Sequence, residues 1–251
     1  MRIVGVIPAR YQSTRLEGKA LVDIHGKPMI QHVYEQARKA PSLLEVRVAT
    51  DDERIRKAVE AFGGVAVMTS PGHASGTDRV AEAVAGADVD IVVNIQGDEP
   101  LIEPHIIEDC LAPMKRDPAI QMATAMIRIE DEAEFSNPGV VKVVRGLNGN
   151  ALYFSRSPLP YPRNRAAGFE VYEHLGLYAY TKACLLRFSK LAPTPLERVE
   201  GLEQLRALEN GIAIHVVETH CEGEMVSVDT PQDLENVRRI FAAREHKQAA
   251  R

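Results

Sequence analysis

Three cations share one short segment near the start of the chain: Arg10, Arg15 and Lys19, with Glu17 as the only acid among them. Arginine forks onto phosphate oxygens and lysine supplies a compact point charge, so this set suits a polyphosphate better than a single carboxylate. Two distant carboxylates add a second chemistry: Asp98 in the segment QGDEP and Asp229 in the segment DTP. Carboxylates facing a triphosphate make a hard oxygen site for Mg²⁺, which takes one or two of them together with phosphate oxygens. Neither GxxxxGK[ST] nor GxGxxG occurs, so the phosphates are not held by a P-loop or a dinucleotide fingerprint. Plainer readings stand beside these. The basic loop could simply be solvated, Asp98 could be a turn acid, and Asp229 could cap a helix.

The elements that must position these residues alternate strand and helix. Ile3, Val4, Val6 and Ile7 form a nearly continuous apolar run ending at Pro8, as in a strand buried on both faces of a parallel sheet. The basic loop then leaves the carboxyl end of that strand, the edge where open α/β sheets bind ligands. Leu21 to Ile24 is a short apolar piece. A helix follows Pro28, a second strand runs through Val46 and Val48, and Asp51-Asp52 opens the next helix. Gly63-Gly64 ends that helix, and Val65 to Met68 is a third strand. A polar loop from Ser70 to Asp78 feeds a helix over Arg79 to Ala85. Ile91, Val92, Val93 and Ile95 are the most apolar strand, and Asp98 ends it. The series predicts βαβ units and a parallel sheet.

The second half breaks this rhythm. Met122 to Ile129 reads as a strand, and Val140–Val144 and Ala151–Phe154 as a hairpin across Asn148-Gly149. Leu159 to Arg165 is Pro-rich and basic, an expected mobile loop. Leu175–Tyr180, Ile212–Val217 and Met225–Val228 read as strands, a helix surrounds Glu203 and Leu208, and a last helix presents Leu234, Val237, Ile240 and Phe241. The expected organisation is one α/β domain, 1–251. Its nucleotide-binding core covers about 1–125, an antiparallel, substrate-binding part about 126–220, and a strand and C-terminal helix 225–251.

Composition narrows the partners. The 251 residues are 45% hydrophobic and 26% charged, as in ordinary globular proteins, and the net charge is −5. A generally basic nucleic-acid surface is therefore not expected, and local positive charge needs a local purpose. No apolar run reaches membrane-spanning length. The three cysteines, Cys110, Cys184 and Cys221, are far apart and without C-x-x-C, which suits reduced thiols in a cytoplasm.

Seven separated blocks carry a closer resemblance: IPARYQSTRLEGKAL, HASGTDR, IVVNIQGDEPLI, NALYFSRSPLP, EHLGLYAY, PLERVEGLEQLRALENG and VDTPQDLE. In this order, over nearly the whole chain, the sequence resembles the 3-deoxy-D-manno-octulosonate (Kdo) cytidylyltransferases, or CMP-Kdo synthetases. The resemblance implies the nucleotide-diphosphosugar transferase fold and a cytoplasmic, Mg²⁺-dependent homodimer of lipopolysaccharide synthesis, with about 126–220 as its sugar-binding and dimerisation part. Such an enzyme makes CMP-Kdo and pyrophosphate from CTP and Kdo. Two departures are Glu17-Gly18, where relatives often have Pro-Gly, and a shorter loop from Tyr161 to Val171.

The roles implied by that resemblance fall on matching residues. Arg10, Arg15 and Lys19 would bind the CTP phosphates, with Arg10, Lys19 and Asp98 as the catalytic set. Ser75, Gly76, Thr77 and Gln96 would lie by the nucleotide, and Asp98 and Asp229 would ligate Mg²⁺. Arg156, His174, Tyr178, Glu203 and Gln204 would bind the sugar, Arg156 as the cation for its carboxylate. His25 and His73 are read as structural. Rival readings are a cytidylyltransferase for a related acid sugar, 8-amino-Kdo or sialate, and a catalytically silent nucleotide-binding relative. The QGDEP block speaks against sialate, and the retained Lys19, Asp98 and Asp229 speak against a silent relative.

Overall fold

The computed structural model describes residues 1–12, 16–164, 168 and 170–249. Two compact units divide the chain, Met1–His105 with Glu222–Arg251, and Ile106–Cys221. The first begins with β1 (Ile3–Ala9), a single 3₁₀ turn at Lys19–Leu21, and the small hairpin β2 (Asp23–Ile24) and β3 (Lys27–Pro28). There follow α1 (Met29–Ala37), β4 (Glu45–Thr50), α2 (Glu53–Ala61), β5 (Val65–Met68), α3 (Gly76–Val84) and β6 (Ile91–Asn94). After α4 (Pro104–Arg116) the second unit contains β7 (Met122–Arg128), α5 (Glu132–Ser136), β8 (Lys142–Arg145), β9 (Ala151–Ser155) and β10 (Tyr172–Thr181). It continues with α6 (Lys182–Phe188), α7 (Pro195–Glu200), α8 (Gln204–Glu209) and β11 (His215–Thr219), and α9 (Pro231–Ala249) returns to the first unit.

The expected parallel sheet is present in the first unit, in the order β6-β1-β4-β5. β1 lies between two parallel neighbours, with Val6 opposite Arg47 and Asn94, and its apolar run is buried on both faces. Because β1 and β6 run the same way, Arg10 and the segment Gln96–Asp98 leave the sheet at one edge. Gly97 is there for close approach: a Cβ at that position would stand 3.0 Å from the Pro8 carbonyl oxygen.

A second core lies under this edge. Ile24, Met29, Leu101, Val228, Leu234 and Val237 are buried together, with Leu16, Val22, Ile240 and Phe241 packed around them. Thus the segments carrying Lys19, Asp98 and Asp229 are each anchored by apolar neighbours in one cluster. Burying each such side chain contributes about 1.5–3 kcal/mol.

In the second unit β7 pairs in parallel with β11 and antiparallel with β10, and β10-β8-β9 continues antiparallel. The α/β class and the antiparallel insertion are as expected, but several boundaries move. β7 groups with the second unit because both of its ladders here run to β10 and β11, which places the division near residue 105 rather than 125. α3 starts at Gly76, three residues earlier than expected, because Ser75 and Asp78 form a reciprocal capping box, each side chain accepting the other's backbone N–H at 3.2 Å. Met225–Val228 is not a strand. Its Val228 N–H makes a single bond, 2.9 Å to the Asp98 carbonyl, while the Val228 side chain enters the second core. β11 lies two to three residues later than read, and residues 159–164 have no regular structure.

α7 and α8 are locked by a buried ion pair. Arg206 Nε donates to Glu197 Oε2 at 2.8 Å, a second guanidinium nitrogen meets Oε1, and the side chains are 8% and 12% exposed. Burial alone pushes the Glu197 carboxyl up, yet the Arg206 hydrogen bonds outweigh it and hold the group below its usual range. A carboxyl depressed on folding stabilises above its unfolded pKa, and that contribution is lost as pH falls through the folded value. Glu197→Ala is expected to cost about 3–5 kcal/mol at neutral pH, since it strands a buried guanidinium. The deficit should shrink in acid. Urea unfolding of wild type and variant from neutral pH to about pH 3 measures both; an equal deficit at every pH would contradict the assignment.

Candidate active site

Lys19 stands between two carboxylates. Its Nζ lies 2.6 Å from Asp98 Oδ2 and 3.0 Å from Asp229 Oδ1, and the three side chains are 18%, 27% and 38% exposed. Burial lowers the pKa of the ammonium, but Asp98 and Asp229 more than offset this, so it is raised and the group is charged at neutral pH. Asp229 is held beside Asp98 by the backbone bond from Val228 N–H to the Asp98 carbonyl. The capping alternative for Asp229 is answered here. Thr230 and Asp233 cap α9, with the Asp233 N–H donating to Thr230 Oγ1 at 3.2 Å and the Thr230 N–H to Asp233 Oδ2 at 2.8 Å.

The basic loop is shaped by its own contacts. The Gly18 N–H donates to the Tyr11 carbonyl at 3.1 Å. Gly18 has φ +66°, with the Tyr11 ring 3.2 Å from where a Cβ would stand. Arg54 covers that ring, its guanidinium carbon 3.2 Å from the centroid. Gly18 is therefore fixed in a conformation other residues rarely adopt.

A cavity of about 420 Å³ opens at this edge of the first unit. Arg10, Lys19, Ser75, Gly76, Gln96, Asp98 and Asp229 all line it, so most of the nucleotide and metal set comes together. Arg15 lies outside the described residues. Thr77 is buried (4% exposed) and is not part of the lining. The Ser75 hydroxyl is engaged as the cap of α3, whose positive end meets the cavity.

Two lining residues with polar side chains, Arg79 and His73, had no site role assigned from the sequence. Arg79 is buried, donating to Thr69 Oγ1 at 2.6 Å and lying 3.2 Å from Asp51 Oδ2. Its signal was a cation among the apolar positions of the SGTDR helix. His73, read as structural, also lines the cavity, and its Nε2 pairs with Glu82. His25 is not among the lining residues, and its Nε2 is 3.0 Å from the Arg238 carbonyl oxygen.

The sugar set lies within the second unit. His174 and Tyr178 are ring neighbours on β10 (centroids 5.3 Å apart), and Phe154 meets His174 edge-on at 4.9 Å. Arg156 follows two residues after Phe154. Its backbone N–H and the Ser155 hydroxyl both donate to the Glu200 carboxylate, at 2.9 and 2.6 Å. Glu203 is the N-cap of α8 and Gln204 its first residue; Gln204 is 7% exposed. Glu203 also acts electrostatically on Tyr178.

Burial drives the His174 pKa down to about 3, so the ring is neutral. Thr124 Oγ1 lies 3.0 Å from His174 Nε2 and 2.7 Å from the Leu177 carbonyl. The single hydroxyl proton goes to a carbonyl, so Nε2–H donates to Thr124 and Nδ1 keeps a free lone pair. The Tyr178 hydroxyl is buried with no hydrogen-bond partner among the described residues. An unpaired buried hydroxyl costs about 1–3 kcal/mol, which a ligand group would recover.

Among the described residues no three His, Cys, Asp or Glu side chains gather as a metal cage. The donor chemistry nonetheless fits Mg²⁺. Asp98 and Asp229 direct one oxygen each at a common cationic point, and this ion takes its remaining ligands from water and phosphate.

Residues 4–218 match the family described as Cytidylyltransferase. A 3-deoxy-manno-octulosonate cytidylyltransferase of Geobacter metallireducens is 53% identical over 247 residues, covering 94% of this chain and 96% of that protein. One from Geotalea uraniireducens is 54% identical over 247 residues, covering 94% and 98%. Among solved structures, a CMP:2-keto-3-deoxy-manno-octonic acid synthetase complexed with CTP aligns with a TM-score of 0.92 and 49% identity, over 97% of this chain and 100% of that one. By sequence over nearly its full length and by fold, this chain belongs to the 3-deoxy-manno-octulosonate cytidylyltransferase family.

Proposed function

We propose that this protein transfers CMP from CTP to Kdo, giving CMP-Kdo and pyrophosphate for lipopolysaccharide biosynthesis. The observation that carries the reading is the convergence of Lys19, Asp98 and Asp229 on one cavity wall with Arg10, Gln96 and the start of α3. It does so in a chain about half identical to proteins named for this reaction.

The anomeric hydroxyl of Kdo attacks the α-phosphorus of CTP. The bond from that phosphorus to the bridging oxygen breaks, pyrophosphate leaves, and the hydroxyl proton goes to solvent. Little covalent work falls to the protein, so positioning and charge neutralisation supply the acceleration. Lys19 and Arg10 meet the phosphates, with Arg15 assigned alongside them by its place in the motif. Two carboxylates and one ammonium leave the cluster net negative, which a triphosphate would not tolerate alone. Asp98 and Asp229 would therefore hold Mg²⁺, whose charge, when bound, stabilises the phosphate oxygens.

In the sugar site Arg156 takes the carboxylate of Kdo. His174 Nδ1 accepts from a hydroxyl, Tyr178 donates to one, and Glu203 and Gln204 complete the set. His174 is no general base: with a pKa of about 3 it accepts a proton only at a large penalty near neutrality.

The reading includes a homodimer in the cytoplasm. Exposed Leu147, Leu152 and Val199 in the second unit give apolar surface for a second copy, and the three cysteines are free.

Asp98→Asn and Asp229→Asn should each lower turnover about a hundredfold or more and raise the Mg²⁺ needed for half-maximal rate, with thermal unfolding near wild type. Wild-type rates at limiting Mg²⁺ would remove that residue from the site. Pyrophosphate release, measured with each nucleoside triphosphate and with Kdo, 8-amino-Kdo or sialate, should be fastest for CTP with Kdo; a preference for another sugar would overturn the acceptor.

For the sugar pocket, Gln204→Ala and His174→Ala should raise the Kdo KM about tenfold while leaving the CTP KM nearly unchanged. Equal losses against both substrates would contradict a sugar-specific role.

A further inference from the structure

Lys142 is fully buried, with 0% relative exposure, at the start of β8. Its cross-strand partners are Glu173 on β10 and Ser155 on β9. A well-packed apolar residue in such a place is often as stable as a buried charge or more so, so the ammonium calls for a reason. Its hydrogen bonds supply one. Nζ donates to the Asn137 carbonyl at 2.8 Å and to the Val140 carbonyl at 2.6 Å, the turn that leads out of α5. The carbonyl of Pro138 in the same turn accepts from Arg156 Nη1 at 2.9 Å, and Arg156 Nε donates to the Glu200 carbonyl at 2.8 Å. Two cations thus grip three carbonyls of one four-residue turn, and only one of those cations is buried beyond reach of a ligand.

We infer that Lys142 is a positioning residue for the acid sugar: by tying down the Asn137 and Val140 carbonyls it fixes the Pro138 carbonyl, and through it the plane of the Arg156 guanidinium. The inference rests on the assignment of Arg156 to the sugar carboxylate. Geometry favours it because a guanidinium recognises a carboxylate with a planar fork, and the fork is useful only when its plane is set in advance. Arg156 has two of its donors committed to backbone oxygens, one of them in the turn that Lys142 holds. Burial lowers the Lys142 pKa and Arg156 adds to that, while Glu173 from β10 and Glu200 from α7 oppose it in part. Lys142 itself spends two donors on the backbone and does not reach the substrate.

A double-mutant cycle tests this in the full-length protein, with Kdo and CTP varied in turn. Lys142→Met keeps the length and apolar stem of the side chain and removes the donors. It should raise the Kdo KM about tenfold, with the CTP KM unchanged. Arg156→Ala should raise the Kdo KM at least as much. In the double variant Lys142→Met should add less than about twofold to Arg156→Ala, because the residue acts only through Arg156. Full additivity, or an unchanged Kdo KM in Lys142→Met, would overturn the inference. An unchanged Kdo KM in Arg156→Ala would overturn the sugar-site assignment instead, which separates the two failures. If Lys142→Met does not fold by circular dichroism, Lys142→Gln, which retains one donor, takes its place in the cycle. If neither folds, Lys142 is a stability residue and the inference falls.

Discussion

The contact around which the candidate site of the first unit is arranged is the Lys19 ammonium held between Asp98 and Asp229. Two carboxylates brought this close repel, and without a cation between them they would push apart or take up a proton. Lys19 satisfies both while remaining charged. The three residues come from distant positions, 19, 98 and 229, on separate segments of the chain. Three segments must be brought together, and the core of Ile24, Leu101, Val228 and Leu234 is what does so. The hydrogen bond from Val228 N–H to the Asp98 carbonyl then fixes the relative height of the two acids.

The second unit uses different physics. Of its candidate sugar residues, His174, Tyr178 and Gln204 are buried, His174 is neutral, and the Tyr178 hydroxyl has no partner among the described residues. Such groups are expensive to keep unless a ligand completes them. Their supports are correspondingly rigid. The α7–α8 ion pair sets the start of α8 that carries Glu203 and Gln204, and the Glu200 carboxylate binds the end of β9 that carries Arg156. Preorganisation of this kind is what lets a hydroxylated, charged substrate be recognised without large reordering on binding.

The first unit was the more legible in the sequence. Buried parallel strands leave mostly apolar runs, so β1, β4 and β6 could be read, as could the loop that ends in Lys19. The partly exposed edge strand β5 was marked by the Gly63-Gly64 stop before its apolar residues. The pairing of Asp98 with Asp229 was legible as chemistry but not as geometry, since no local pattern reports a backbone bond between residues 98 and 228. The capping box of α3 was written in Ser75 and Asp78 yet read as loop, because Gly76 and Thr77 are weak helix formers. α4 went unassigned although Ile106, Ile107, Cys110, Leu111 and Met114 have helical spacing; Pro113 within it reads as a breaker. The roles of His174, Tyr178 and Gln204 came from the family resemblance alone. Their burial is a tertiary property, and a histidine or glutamine carries no local mark of it.

Whether Lys19 serves the phosphates as their charge develops, and does more than brace two acids, is tested most directly by Lys19→Ala kinetics at saturating Mg²⁺. The expected result is a fall in kcat of about 10²–10³, with the CTP KM changed no more than about threefold. A wild-type kcat, or a loss confined to the CTP KM, would contradict it.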